Sequence, residues 1–261
     1  MIGAIIGDIA GSSYEFDNTS DYNFPMFTQE NDFTDDTICT VAVADAILQH
    51  VDYQTSIRRW CRKYPHPKGE YGSYFFNWVM RHDPYPYNSF GNGSAMRVSP
   101  VAWLFDNERD VISEAERSAA VTHNHPEGIK GAVAIAVAIF RMRTATTKTP
   151  AIFENIAKEY YGDKIFSNLP EKGFFDVTCQ GCVPLALYLA SLATSFEDAI
   201  RLAVSYGGDT DTVGAIVGSL AEALYTIPAD MSEKAKSYLP QEMLDVLTRF
   251  EKQKRCRTLL P

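Results

Sequence analysis

The sequence predicts an all-α fold, a single-domain orthogonal helical bundle. Windows rich in Ala, Leu and Ile recur along the chain, whereas alternating β-branched runs bounded by turns are nearly absent. No clear repeat or low-complexity stretch divides the chain. Its 261 residues are enough to bury one sizeable core, so we treat residues 1–261 as one domain.

The predicted helices differ in how much of their surface is apolar. The windows at 37–49, 131–140 and 213–225 are apolar almost all round, which is typical of central helices surrounded by others. The longest apolar run, Gly131–Phe140, is too short to span a bilayer, so no membrane association is expected. In chain order the predicted helices are Ile2–Ala10, Thr37–Gln49, Pro126–Arg143, Cys182–Thr194, Phe196–Ser205, Asp211–Tyr225 and Gln241–Lys254.

The charge and the cysteine content narrow the classes of partner and compartment. A formal net charge of −9 argues against binding to extended nucleic acid or to a membrane surface, because both need a basic patch. A small anionic ligand stays compatible with this charge if bound cations neutralise it. The five cysteines, an odd number, and a start that does not resemble a leader peptide predict a reduced, cytoplasmic protein.

An acidic cluster lies at the start of the predicted helix Asp211–Tyr225. Asp209 and Asp211 alternate along the segment Gly207–Thr212, so their carboxylates can point the same way, and Thr212 can add a hydroxyl. Mg²⁺ takes about six oxygen ligands at about 2.1 Å, and this set suits such a cation. Helix capping is the alternative, because Asp and Thr are favoured at helix N-termini.

A second acidic cluster, Thr34–Thr37, precedes another predicted central helix. Asp35 and Asp36 are adjacent carboxylates flanked by hydroxyls, although one N-cap needs only a single side chain. Like charges repel unless a cation lies between them, and neither cluster has a Lys or Arg within four residues. The two clusters therefore predict a metal site at the mouths of two central helices, and two metal ions would use the whole set.

The N-terminal segment Gly7–Phe16 contains glycines but lacks the nucleotide-binding fingerprints. Neither the G-x-G-x-x-G spacing nor the P-loop G-K-[ST] is present. We interpret Ile2–Ala10 as a buried helix whose following loop projects Glu15. Asp8 is interpreted as a residue that orders the N-terminal loop rather than one that reacts.

These three segments, together with Ser89–Arg97 and Thr122–Pro126, resemble the motifs of the ADP-ribosylglycohydrolase family. Each motif alone is modest support, whereas all five in this order are specific, and the resemblance covers nearly the whole chain. The resemblance implies an all-α hydrolase with two Mg²⁺ ions, for which Mn²⁺ can substitute, that releases ADP-ribose from a modified target. The implied metal ligands are Thr34, Asp35, Asp36, Asp209, Asp211 and Thr212.

The resemblance also implies substrate-binding and catalytic residues. Small residues in the loop at 88–96 would let backbone N–H groups reach the diphosphate of the ligand, and His123 would contact the ligand. The carboxylate that activates water is left open among Glu15, Asp35, Asp36 and Asp209. The implied substrate-binding residues are Asn88, Ser89, Phe90, Gly91, Asn92, Gly93, Met96 and His123.

These residues do not determine the leaving group. An ADP-ribosylated protein modified on arginine is the expected partner, because a strongly acidic protein should not attract ADP-ribosylated DNA or RNA. A serine, ester or nucleobase linkage would leave the same ADP-ribose half in the pocket. A non-catalytic ADP-ribose-binding module is the rival class, and it would be marked by lost metal ligands, none of which is lost here.

Cys179 and Cys182 form an isolated C-x-x-C pair. Such spacing occurs in redox pairs and in zinc sites. No second Cys pair exists in the sequence, and Cys182 begins a predicted apolar helix. We therefore interpret both cysteines as structural.

Overall fold

In a computed structural model, which describes residues 1–258 and the side chains as far as Arg255, the chain forms fourteen α-helices and one short 3₁₀-helix. The described residues contain no strand, only two isolated β-bridges that pair Thr34 with Lys68 and Gly91 with Thr178. The all-α prediction is confirmed. The helices are α1 (Ile2–Gly11), α2 (Asp35–Gln49), α3 (Tyr53–Lys63), α4 (Ser73–Met80), α5 (Gly93–Met96), α6 (Ser99–Leu104), α7 (Glu108–Ala120), α8 (Pro126–Thr144), α9 (Ala151–Tyr161), α10 (Cys179–Leu192), α11 (Phe196–Tyr206), α12 (Thr210–Leu224), α13 (Ala229–Lys236) and α14 (Gln241–Thr258), with the 3₁₀-helix Ile165–Ser167 before α10.

Helices α2, α8 and α12 lie in the interior, as their apolar sequences predict. Every residue from Thr210 to Ala223 in α12 is buried, and so is every residue from Gly131 to Phe140 in α8. α12 packs against α1, α8, α10 and α11. None of the described helices is both long and apolar enough to cross a bilayer. The two acidic clusters thus lie at the starts of two interior helices, α2 and α12.

Helices α1 and α12 touch through their backbones. Gly3, Gly7 and Gly11 are spaced four residues apart along α1, and all three lie against α12. A Cβ on Gly7 would lie 1.9 Å from the carbonyl oxygen of Gly214, so any side chain there would force the two helices apart. The Thr210 hydroxyl donates to the carbonyl oxygen of Gly11 at 2.9 Å. This contact places the C-terminal end of α1 beside the N-terminal end of α12.

The prediction that the helix containing the C-x-x-C pair begins at Cys182 is wrong. α10 begins three residues earlier, at Cys179, because the Thr178 side chain accepts the Gly181 N–H at 3.2 Å and caps the helix there. Several helices lie outside the windows that predicted helices, because those windows are rich in apolar residues and these helices are amphipathic. In α7, for example, only one face is apolar or small and buried, and the rest is largely charged.

Candidate active site

A cavity of about 670 Å³ lies where the N-terminal ends of α2 and α12 meet the loop after α1. The loops at 69–72 and 87–93 complete its wall. The structure brings all the predicted site residues to this cavity except Thr34, whose side chain is buried and does not line it. The predicted residues in the lining are Glu15, Asp35, Asp36, Asn88, Ser89, Phe90, Gly91, Asn92, Gly93, Met96, His123, Asp209, Asp211 and Thr212.

Asp8 holds the loop before α2 in place. Its Oδ2 accepts the N–H groups of Thr34 at 3.1 Å and Thr37 at 3.0 Å, and its Oδ1 accepts the Thr34 hydroxyl at 2.8 Å. The first N–H groups of a helix lack partners within the helix, and Asp8 supplies one. The expectation that Asp8 orders the N-terminal loop is therefore wrong, because Asp8 lies within α1 and orders the Thr34–Thr37 cluster.

The carboxylates of the two acidic clusters converge with Glu15. One oxygen each from Glu15, Asp209 and Asp211 lie within 4.8 Å of one another. The Thr212 hydroxyl donates to Asp36 Oδ2 at 3.1 Å, which links the starts of α12 and α2 across 176 positions of sequence. The two clusters thus share one site.

Burial and mutual repulsion raise the pKa of the carboxyl groups in this site. The pKa of Glu15 is raised to about 8, first by burial and then by Asp211 and Asp8. The pKa of Asp8 is raised to about 7, again by burial and then by Asp211. So many carboxyl groups in one buried place favour a cation between them. Burial is also the largest cause of the raised pKa values of Asp35, Asp36, Asp209 and Asp211.

Unpaired oxygens in this cluster fit a metal centre. Among the described residues, Glu15 Oε2, Asp36 Oδ1 and Asp211 Oδ1 are buried without a hydrogen-bond partner. The ion pairs of the described residues all involve other carboxylates. Buried carboxylate oxygens that converge without a basic partner are the ligands that a hard divalent cation such as Mg²⁺ takes.

Thr34 and Thr212 differ in what their hydroxyl groups do. Thr34 Oγ1 accepts the Asp36 N–H at 3.2 Å while donating to Asp8, so it caps α2. Thr212 lines the cavity and donates to Asp36. In the structure the Thr34 hydroxyl is used to cap α2, and the role of Thr34 as a metal ligand stays a prediction.

The segment that leads into α10 holds the loop at 88–93. The Asn92 N–H donates to the Val177 carbonyl oxygen at 2.8 Å, and the Cys179 N–H donates to the Phe90 carbonyl oxygen at 2.9 Å. Asn92 Nδ2 also lies 3.3 Å from the Cys182 sulfur. Both cysteines are buried, unpaired thiols, which supports their interpretation as structural.

The backbone N–H groups of this loop are mostly used within the protein. Those of Asn88, Ser89, Gly91 and Asn92 all donate to protein oxygens. Within residues 88–92, only the Phe90 N–H lacks an acceptor in the described structure. Residues 88–92 therefore leave one backbone N–H free, and the prediction that N–H groups of the loop at 88–96 reach a diphosphate stays a prediction.

Asn92 connects this loop to the carboxylates. Its Nδ2 donates to Asp209 Oδ2 at 2.6 Å, so a predicted ligand-binding residue touches a predicted metal ligand. The hydrogen bond partly opposes the effect of burial on the pKa of Asp209. The two halves of the cavity are thus joined by a direct contact.

Asn18 positions the loop before α12, although no motif in the sequence marks it. Its Oδ1 accepts the Gly208 N–H at 2.6 Å, and its Nδ2 donates to the carbonyl oxygens of Gly208 at 3.1 Å and Tyr14 at 2.6 Å. Gly208 has φ 85°, a conformation that favours glycine. Asn18 therefore ties the loop before α12 to the loop that bears Glu15. A single Asn in a loop has no distinctive sequence signal.

His123 lies in the cavity wall beside the loop at 88–93. A Cβ on Gly93 would lie 3.1 Å from its Nε2, so the glycine leaves room for the ring. Burial, and then the charge of Arg97, lower the pKa of His123 well below its usual value, which keeps the ring neutral. His125 has a different place, since its Nδ1 accepts the Glu127 N–H at 3.1 Å and caps α8.

Exposed aromatic side chains surround the mouth of the cavity. Phe16 and Tyr74 are each 77% exposed, and Phe175 is 43% exposed. The rings of Phe16 and Phe175 are stacked, with centroids 6.0 Å apart. Exposed apolar groups clustered at a cavity are typical of binding surfaces. No periodicity in the sequence marks these residues.

The fold and the cavity together define an all-helical protein with a carboxylate-rich ligand pocket. The family model described as ADP-ribosylglycohydrolase matches residues 1–256, and the chain belongs to that family of hydrolases. The family resemblance noted in the sequence is confirmed.

Individual relatives are distant in sequence. ADP-ribosylarginine hydrolase Tri1 of Pseudomonas putida is 25% identical over 292 residues, a match that covers 94% of this chain and 76% of the relative. An uncharacterized protein of Archaeoglobus fulgidus is 30% identical over 161 residues, and the match spans about half of each protein, 55% of this chain and 53% of the relative. A solved structure titled ADP-ribosylglycohydrolase-related protein complex matches with a TM-score of 0.74 and 24% identity, covering 97% of this chain and 95% of that chain, which supports the fold.

Proposed function

We propose that this chain is a Mg²⁺-dependent hydrolase that cleaves the glycosidic bond between ADP-ribose and a modified target, with ADP-ribosylarginine on protein as the substrate. The main observation is the group of buried carboxylates with unpaired oxygens at one end of the cavity. A volume of about 670 Å³ is within the range of small-molecule and cofactor pockets. Membership of a glycohydrolase family supports the reaction type.

Two Mg²⁺ ions are the proposed cofactor, with Mn²⁺ as a substitute. When bound, such ions stabilise developing negative charge and lower the pKa of water. Glu15 lies beside the proposed ligands, and its carboxylate contributes to the same group of oxygens. The residues that would hold the ions are Thr34, Asp35, Asp36, Asp209, Asp211 and Thr212.

Glu15 and Asp35 are the carboxyl groups best placed to move a proton. Neither side chain accepts a hydrogen bond from any described residue, whereas those of Asp36 and Asp209 each do. Glu15 also lies next to the exposed Phe16 in the cavity lining, where solvent can reach it. A general acid must hold a proton within reach of the leaving group, and a general base must reach the attacking water. We therefore favour Glu15, with Asp35 as the second candidate.

The other part of the cavity offers groups suited to a diphosphate and a ribose. Ser89, Asn92 and His123 line it. The Ser89 hydroxyl and a ring N–H of His123 can donate hydrogen bonds. By contrast, Asn92 Nδ2 already faces Asp209 and Cys182, and its Oδ1 can accept from a ribose hydroxyl. Phe90 is 45% exposed and presents an apolar ring at the same wall. An ADP-ribose that extends from the carboxylates toward His123 would place its anomeric carbon near the proposed metal site and its diphosphate away from the acidic residues.

The proposed target is a protein rather than a nucleic acid. With a net charge of −9 the chain lacks the excess of Lys and Arg that long phosphate backbones require. Exposed aromatic side chains at the mouth suit contact with a protein surface. A relative is named ADP-ribosylarginine hydrolase, which supports arginine as the modified residue. Serine, ester and nucleobase linkages are the alternatives.

A cytoplasmic location belongs to the same proposal. The described cysteines, Cys39, Cys61, Cys179 and Cys182, are unpaired thiols. The sulfur atoms of Cys39 and Cys61 lie 3.8 Å apart, and such a pair would tend to form a disulfide in an oxidising compartment. Unpaired thiols at this distance fit a reducing compartment.

The decisive experiment follows release of ADP-ribose from modified arginine on a protein and from an ADP-ribosylated oligonucleotide, side by side at physiological salt. We expect fast cleavage of the protein substrate, loss of turnover after exhaustive EDTA treatment, and recovery with Mg²⁺ or Mn²⁺. Asp83→Asn serves as the matched control, since Asp83 is a carboxylate that is 96% exposed and does not line the cavity.

Each contrary outcome contradicts a different part of the proposal. Full activity after EDTA treatment would contradict the metal requirement. Cleavage of the oligonucleotide alone would contradict the target while leaving the site intact. Tight binding of ADP-ribose without cleavage of any linkage would instead identify a non-catalytic binding module.

A further inference from the structure

Thr122 lies between a buried cation and the histidine that lines the cavity. Its Oγ1 is 2.9 Å from Arg97 Nη2 and 2.6 Å from His123 Nδ1. Thr122 and Arg97 are fully buried, and His123 is 5% exposed. Arg97 is further held by the carbonyl oxygen of Ser118 at 3.0 Å. The three side chains thus form a continuous hydrogen-bonded row that ends at the ligand cavity.

The direction of each hydrogen bond follows from the groups available. A guanidinium group only donates, so Thr122 Oγ1 accepts from Arg97. The hydroxyl hydrogen of Thr122 then needs an acceptor, and His123 Nδ1 is the one in contact among the described residues. A hydrogen on Nδ1 would instead leave a buried hydroxyl group without an acceptor, which native structures avoid. Nδ1 therefore accepts.

A neutral ring that accepts at Nδ1 carries its hydrogen on Nε2. A second proton on the ring is disfavoured, because burial and the Arg97 charge both lower the pKa of His123. Nε2 has no hydrogen-bond partner in the described structure, and it lies near Gly91 and Gly93 in the cavity wall. The ring therefore presents a donor to the cavity.

We infer that Thr122 is a positioning residue that fixes His123 as the Nε2–H tautomer, so that the ring offers a hydrogen-bond donor and not an acceptor to the bound ligand. The identity of the ligand rests on the proposed function, under which the accepting group is an oxygen of the ADP-ribose diphosphate. Arg97 holds the Thr122 hydroxyl in the orientation that this tautomer requires. The row favours ligands with an acceptor at this place and disfavours those with a donor.

Nitrogen NMR of the free protein, labelled with ¹⁵N-histidine, tests the tautomer directly, because protonated and unprotonated ring nitrogens have well-separated shifts. We expect wild-type His123 to have a protonated Nε2 and an unprotonated Nδ1 across the neutral pH range. Thr122→Ser keeps the hydroxyl and should give the same spectrum. Thr122→Val keeps the shape, removes the hydroxyl, and should give a mixture of both tautomers. A wild-type His123 protonated on Nδ1 would overturn the inference.

Calorimetry with free ADP-ribose tests the consequence for binding. Thr122→Val should weaken binding in proportion to the fraction of rings that leave the Nε2–H tautomer, about twofold for an equal mixture and about tenfold if only a tenth of the rings keep it, whereas Thr122→Ser should bind as wild type. Unchanged tautomer and affinity in Thr122→Val would also overturn the inference. If wild type does not bind ADP-ribose, the proposed function fails, yet the spectrum of the free wild-type protein still decides the role of Thr122.

Discussion

Replacing Asp211 with Asn should stabilise the metal-free protein and remove its response to Mg²⁺. After burial, the charge of Asp211 is the largest cause of the raised pKa values of Glu15, Asp36 and Asp209. One Asp211 oxygen lies within 4.8 Å of an oxygen of both Glu15 and Asp209. Asn keeps the size of the side chain and removes its charge. The substitution therefore measures how much the repulsion between these carboxylates destabilises the protein when no cation is bound.

The size of the effect follows from this distance. Two unit charges 4.8 Å apart repel by about 3.5 kcal/mol at an effective dielectric constant of about 20. Raised pKa values keep part of the cluster protonated, and Glu15 is partly solvated, so we expect a net gain of about 1–3 kcal/mol at pH 8. For a chain of this size, about 2–4 °C per kcal/mol gives a rise in Tm of roughly 2–12 °C.

The gain in stability of metal-free Asp211→Asn over wild type should disappear in acid. A carboxyl group whose pKa is raised by folding is proton-rich in the folded state, so stability falls as pH rises from its unfolded pKa to its folded pKa. The folded pKa is about 7 for Asp8 and about 8 for Glu15. Metal-free wild type should therefore lose stability between about pH 4 and pH 8. Asp211→Asn should reduce this decline and match wild type near pH 4.

Thermal unfolding at several pH values, with EDTA or with excess Mg²⁺, measures these effects. Mg²⁺ should raise the Tm of wild type, because a ligand that binds only the folded state stabilises it, by about 2.7 kcal/mol at 100 times Kd. Asp83→Asn, which changes an exposed carboxylate, should behave as wild type throughout. A lower metal-free Tm for Asp211→Asn at pH 8, or an undiminished Mg²⁺ response in that variant, would refute the reasoning.

Five other substitutions test separate parts of the molecule. Asp36→Ala and Asp209→Ala should each lower kcat by orders of magnitude in single-turnover assays, and the double variant should lose little more, because residues that act as a unit are not additive. Asn92→Ala should weaken ADP-ribose binding about tenfold by calorimetry. Gly7→Ala should lower the free energy of unfolding in urea by about 3 kcal/mol, since its Cβ would lie 1.9 Å from a carbonyl oxygen of α12. Phe175→Ser should raise KM for an ADP-ribosylated protein while the Kd for free ADP-ribose stays within about twofold.

The contrary results are equally specific. Multiplicative losses in the double aspartate variant would place the two acidic clusters in separate sites. An unchanged Kd for Asn92→Ala would remove the loop at 88–93 from the ligand site. Wild-type stability of Gly7→Ala would contradict the backbone contact between α1 and α12. Equal changes of KM and Kd in Phe175→Ser would contradict a role for the aromatic mouth in target recognition.

Local features of the sequence determined the central helices and the position of the acidic clusters at their starts. The windows at 37–49 and 213–225 predict buried helices because they are apolar on every face, and α2 and α12 are buried. Asp35, Asp36 and Asp211 lie in the first turns of these helices. Helix formation and capping depend on residues within about four positions of each other, which a sequence displays directly.

The tertiary structure decided how these pieces form one site. Backbone contact between α1 and α12 brings Glu15 to Asp209 and Asp211, and it joins Thr210 to Gly11 across 199 positions. The same long-range packing turns Asp8 toward the cluster before α2. It also directs most N–H groups of the loop at 88–92 to protein oxygens, which the loop's own composition did not indicate. Small side chains in the loop allow another group to approach its backbone closely. Whether that group is a ligand or another part of the protein depends on packing between segments far apart in the chain.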